Sequence, residues 1–309
     1  MRDPKQPVKE ANNVIALLDA VLGEDRYPLN IEEICLEYSR NKFPDHRIKE
    51  VKGDDDLSGF EGALYGSYRD EQSRWLILYN KEIPQLGRIN FTLAHEFGHY
   101  LLHRHELEKF ECSQEDLSNF HGDAQRQSEA NKFASQLLMP PNDFRKQIDR
   151  QKIDFNLIEH CTDRYSVSLT AMLLKLVEIT DKRCVLVLSR SGFILWSKPS
   201  QSALETGKFI KTVGLPPVPI PQASVANTGI SNNDNKIEIN HGPGIWWPDE
   251  PVKEMTVFSR NFDLVITLLK LPDDPPGKSY RDFEDPDSFD SFDNFEAFNG
   301  GARLRLPQN

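Results

Sequence analysis

His95, Glu96 and His99 fall within one short stretch, RINFTLAHEFGHYLLHR, Arg88 to Arg104. On a helix, positions four apart lie one above the other on the same face. His95 and His99 can therefore direct two imidazoles at one ion, and zinc is the ion such ligands suit. Glu96 is turned by about 100° from His95, which sets it beside the ion rather than on the two-histidine axis. A carboxylate there can take a proton from metal-activated water and pass it to a leaving amine. The bland alternative is a pair of satisfied histidines on an ordinary helix. Leu93, Ala94, Phe97, Leu101 and Leu102 weaken it, because they make the helix apolar on several sides. Polar groups buried in such a helix cost free energy unless something pairs with them, and a metal is one such partner.

A catalytic zinc takes three protein ligands and keeps one position open. The third is expected from a second helix packed on the first, and Glu129 in SEANKFASQLLMPP is the strongest candidate. Ala130, Phe133, Ala134, Leu137 and Leu138 form an apolar stripe there, and the two alanines permit close approach. Asp123 and Glu115 are alternatives lying before that stripe, and a surface position is the bland reading of Glu129. Four further residues are candidates for an outer shell or a substrate cleft. His103, one turn beyond His99, suits an outer hydrogen bond or plain exposure. Asn80 ends the strand-like WLILYN, at a cleft rim or in a simple turn. Arg88 and Tyr100, with Tyr65, are candidate donors to a developing oxyanion.

Several elements must hold these residues. NNVIALLDAVLG reads as a helix closed by Gly23, and IEEICLEYSR as a second helix capped by Asn30. Phe60–Tyr68 and Trp75–Asn80 read as neighbouring antiparallel strands. The two candidate metal helices follow, opening near Arg88–Asn90 and at AQRQSEANKF, the second stopped by Pro140 and Pro141. NLIEHCTDRYSVSLTAMLLKLVEIT suggests two short helices. CVLVLSRSGFILWS suggests a hairpin turning at Ser191-Gly192, and EMTVFSRNFDLVITLLKL one or two last strands.

The stretch INFTLAHEFGHYLLH followed by SEANKFASQLLMPP resembles the ImmA/IrrE family of metallo-endopeptidases. FEGALYG, WLILYN and Arg88 fit the same pattern, so the resemblance covers roughly Pro28–Pro141. It implies an α+β fold with a thermolysin-like zinc peptidase core, in which His95, His99 and Glu129 are ligands and Glu96 is the catalytic glutamate. Phe97 stands where leucine is usual, and the connection from His99 to Glu129 is longer than in compact members. DRYSVSLTAMLLKL resembles the helix-turn-helix-like segment that follows the core in this family. Its second helix offers only Lys175 as a basic residue, so a structural or docking role is expected and direct nucleic-acid binding is not. The strand-rich segment beyond is similar to the sensor-like domain of some relatives.

The expected organisation is a peptidase domain over 1–145, a helix-turn-helix-like segment over 146–182, a β-rich module over 183–272 and an acidic, disordered tail over 273–309. Asp273–Phe298 holds nine acidic residues against Lys278 and Arg281, so much of the formal charge of −11 sits in the tail. An acidic chain of this kind is not a general nucleic-acid binder. Without a membrane-length apolar run, a secretory signal or a CxxC pair, a cytoplasmic protein is expected. The resemblance implies a zinc endopeptidase, with manganese as the other candidate ion, acting on a DNA-binding repressor. The alternative is a zinc-containing regulatory module that works by partner capture without proteolysis.

Overall fold

The structure is a computed structural model and describes residues 6–55, 57, 60–69, 72–106, 109–113, 121–228, 235–259 and 264–273. The chain divides into two units, each mixing helices with one sheet. The first takes in described residues of Met1–Gln147 and Glu159–Leu169, the second those of Ile148–Ile158 and Thr170–Ser291. The expected acidic tail lies outside the described residues apart from Asp273.

In the first unit α1 (Gln6–Leu22) and α2 (Ile31–Lys42) lead into β1 (Ile48–Asp54), β2 (Phe60–Arg69) and β3 (Gln72–Asn80). Then come α3 (Leu86–His103), β4 (Lys109–Ser113), α4 (His121–Leu138) and α5 (Pro141–Ile148). Asn30 caps α2 as expected, its side chain accepting from Glu33 N. The four strands form one mixed sheet in the order β1-β3-β2-β4, with β1 parallel to β3 and the other pairs antiparallel. The expected pairing of Phe60–Tyr68 with Trp75–Asn80 is present in this ladder.

Helix α3 is the centre of the unit. Its residues from Thr92 to Leu101 are buried without a break. A helix buried on every side must have packing partners all round: here the sheet side is supplied by β2 and β3, and α4, α1 and α2 cover the rest. The closest approach is between α3 and α4. A Cβ on Gly98 would stand 3.0 Å from the Phe133 ring and 3.2 Å from Ala130 Cα, so small residues are needed on both helices.

Beyond α5 come α6 (Phe155–Tyr165) and α7 (Leu169–Ile179). Residues 146–182, which include α6 and α7, fall partly in each unit. The central residues of α7, Thr170–Val177, are all buried, Lys175 included.

The second unit is built on a six-stranded antiparallel sheet. Its elements are β5 (Cys184–Arg190), β6 (Phe193–Pro199), α8 (Gln201–Glu205), β7 (Val218–Pro219), α9 (Val225–Thr228), β8 (Lys236–His241), β9 (Val252–Ser259) and β10 (Leu264–Lys270). The strand order is β7-β6-β5-β10-β9-β8. Ser191 and Gly192 both have positive φ, 50° and 81°, so β5 and β6 are joined by a two-residue turn at the expected place. One core cluster gathers Val185, Val187, Ile194, Trp247, Val252 and Leu269. Among the described residues no helix is long and apolar enough to cross a membrane.

Candidate metal centre

Helix α3 carries His95, Glu96, His99 and His103, exposed by no more than 3%. The face of α4 turned to them repeats at helical spacing through Gln127, Ala130, Asn131 and Ala134. The alanines let the helices touch, and the polar members reach the histidines.

The hydrogen bonds fix the imidazole orientations. His95 Nδ1 lies 2.7 Å from Asn131 Oδ1. An amide oxygen only accepts, so Nδ1 carries the proton and Nε2 keeps its lone pair. His103 Nε2 lies 2.9 Å from Glu129 Oε2 and donates to that carboxylate. With neutral rings, His103 Nδ1 then accepts from His99 Nδ1 at 3.0 Å, and His99 Nε2 also keeps a lone pair. These two Nε2 atoms face each other at 3.0 Å, and Gln127 Oε1 stands 3.3 Å from His99 Nε2. Burial, followed by the neighbouring His95 and His103, holds the His99 pKa well below the ordinary imidazole range. Neutral imidazole is the form that binds metal.

Two electron-rich nitrogens at this distance repel unless a cation lies between them. Two nitrogens bound to one tetrahedral zinc at about 2.05 Å are about 3.3 Å apart. The His95–His99 pair therefore fits a metal in both spacing and protonation. Glu129, 9% exposed, has one oxygen on His103 and the other on Gln125 Nε2 at 2.8 Å. Among the described residues no group of three His, Cys, Asp or Glu donors converges on one point. Glu129 thus joins the site through His103, two hydrogen bonds removed from the Nε2 pair.

Glu96 is fully buried between α3 and β2. A Cβ on Gly62 would lie 3.1 Å from Glu96 Oε1 and 2.4 Å from Thr92 Cγ2, so only glycine lets β2 pass this close. The neighbouring Glu61 takes a two-pronged ion pair from Arg88, tying β2 to the start of α3. Arg88 therefore sits on the strand side of the site with its charge engaged.

Two candidates from the sequence stand elsewhere. Tyr100 is fully buried, packs its ring on Trp75 and Phe43, and donates to His46 O at 2.9 Å. It is a core residue rather than a cleft residue. Asn80 folds its side chain onto the Glu82 backbone N–H at 2.9 Å, as a turn residue does. Glu115 and the Asp123 side chain lie outside the described residues. Sequence reasoning missed Asn131 and Gln127, although their spacing on the small-residue face of α4 was a usable signal.

His95, Glu96 and His99 thus share one buried helix of an α+β unit, with the two imidazoles facing each other one turn apart. Residues 58–177 match the family Peptidase_M78, described as the IrrE N-terminal-like domain. The match falls on the segment whose residues resemble the ImmA/IrrE proteins, and it agrees with that resemblance. No curated protein matches the chain.

Proposed function

We propose that the chain is a zinc-dependent endopeptidase that hydrolyses a peptide bond in a protein substrate, a helix-turn-helix repressor by the family resemblance. One observation carries the metal-dependent reading: the His95 and His99 Nε2 atoms lie 3.0 Å apart while the Nδ1 atom of each ring is engaged elsewhere. His95 and His99 would hold the ion, and Glu129 would be the third donor on turning its carboxylate from His103 and Gln125 toward the Nε2 pair. A zinc ion there supplies Lewis acidity toward the scissile carbonyl and brings the pKa of water toward neutrality.

The chain's own residues do the rest. Asn131 keeps the His95 ring in the tautomer that presents Nε2, and His103 does the same for His99. Glu96, buried and pressed under β2, takes the proton of the attacking water and returns it to the leaving amine. The Arg88–Glu61 pair holds the strand that covers it.

The test offers helix-turn-helix repressors as substrates to the zinc- or manganese-loaded wild type and to Glu96→Gln. Wild type should cut and Glu96→Gln should lose about 10²–10⁴-fold in rate, the usual worth of a positioned proton shuttle. Cleavage by both, or by neither, would sink the reading. Metal analysis of Glu129→Ala tests the third donor separately, since unchanged zinc content removes Glu129 from the ligand set.

A further inference from the structure

At one end of the second unit's sheet, the ladders set Cys184, Lys270, Lys253 and Asn240 in one row across β5, β10, β9 and β8. Directly opposed residues share a face, so Lys270 and Lys253 stand side by side, an arrangement that costs free energy between like charges. All four line a cleft of about 560 Å³ within this unit. Arg150 and Lys152, before α6, and Lys182 and Arg183, before β5, complete the cationic lining. Six cationic side chains thus meet one lining carboxylate, Asp273, in a chain whose formal charge is −11.

Solvated rim lysines would account for this if each had its counter-charge. Three of the six do: Arg183 pairs with Glu250, Lys182 with Asp273 at 2.7 Å and Lys253 with Glu238. Arg150 has only Asp149, at 3.9 Å. Among the described residues Lys152 and Lys270 have no carboxylate within ion-pair range. Lys270 is partly buried, and its ammonium donates to the carbonyl of Ile153. That carbonyl offers a dipole but no charge. Burial first, with the charges of Lys253 and Lys152 adding to it, draws the Lys270 pKa below its usual value.

The cleft has the size of a small-molecule site, and its unbalanced charges are ammonium groups, which bind phosphate as point charges. The Asn240 amide, in the same row, can donate beside them. We infer that this cleft binds the phosphate groups of a small molecule, with Lys152 and Lys270 as its cationic contacts.

Calorimetric titration of the full chain with inorganic pyrophosphate, and separately with ATP, tests this. Saturable binding is expected, at least tenfold weaker in Lys270→Gln and in Lys152→Gln. Equal affinity in metal-loaded and metal-stripped protein separates it from binding at the candidate metal centre. Lys270→Gln removes a repulsion, so its melting temperature should stay at or above the wild-type value. Lys152→Gln, in an exposed segment, provides a second variant that does not disturb the sheet. Tighter binding of ATP than of pyrophosphate would assign the site to a nucleotide, and equal binding to the phosphate groups alone. No saturable binding, binding only in metal-loaded protein, or wild-type affinity in both lysine variants overturns the inference.

Discussion

What His95 and His99 can do is decided by the atoms behind them. An imidazole that donates through Nδ1 must present a lone pair at Nε2, and Asn131 and His103 impose that state on the two rings. The HExxH spacing was legible in the sequence because it depends only on helix geometry. The support of His95 was not, because it crosses between helices: Asn131 sits 36 residues from its histidine partner. Gly62 shows the same limit. In the sequence it punctuates a strand; in the fold it is the gap into which Glu96 fits. Gly62→Ala should force β2 and α3 apart and shift Glu96, since the new methyl would lie 2.4 Å from Thr92 Cγ2 and 3.1 Å from Glu96 Oε1. A displacement of about 1 Å is enough to cost about a hundredfold in rate. We expect kcat to fall by that order with metal content unchanged, as read by peptide cleavage beside metal analysis. Wild-type kcat in this variant would mean that Glu96 tolerates a shift the proposed mechanism does not allow.

Among the elements, those with a strong period or a specific turn were readable, and those whose partners are distant were not. The β5–β6 hairpin was legible because Ser191-Gly192 separates two apolar runs by a two-residue turn, and both residues take positive φ. Strand β1 was hidden because its burial does not alternate, being buried at Ile48 and Val51 with two exposed residues between. Strand β8 was hidden because an edge strand that is mostly exposed reads as loop. The junction of α5 with α6 is likewise invisible in sequence, and it is held by charge. Asp143 accepts two bonds of 2.9 Å from Arg164 and one of 2.6 Å from Tyr165. Burial pushes the Asp143 carboxyl up, but the Arg164 and Tyr165 bonds and the Arg164 charge together hold it below its ordinary 3.8. A depressed carboxylate pKa stabilises the fold above the unfolded value, and that stability is lost as pH falls through the folded value. Asp143→Asn should therefore cost about 1–3 kcal/mol at pH 7 and flatten the acid limb of stability against pH. Denaturant unfolding between pH 7 and 3 would show it, and a variant with the wild-type acid limb would contradict it.

For the molecule as a whole, the division into two units matters more than the formal charge. The sequence showed a change of grammar near Arg183, where helices give way to strands. It could not show that residues 148–158 belong with the second unit, because that depends on which sheet end they cover. The second unit also contains the most enclosed ion pair described, Arg183 with Glu250, exposed by 4% and 1% in their side chains. Arg183 is further satisfied by Thr206 Oγ1 at 3.0 Å and by the Pro272 carbonyl at 2.8 Å, and Lys208 stands 3.4 Å from Glu250. Removing one partner of a buried pair costs more than the pair contributes, because the remaining charge keeps its desolvation penalty without compensation. Glu250→Leu should thus destabilise by about 3–5 kcal/mol, read as a lowered transition in calorimetry. Glu250 and the His95–His99 pair lie in different units, so metal content should be unchanged at temperatures below that transition. If the variant instead loses metal and structure in one step, the two units unfold as a single cooperative block, and a substitution in either must be read as acting on both.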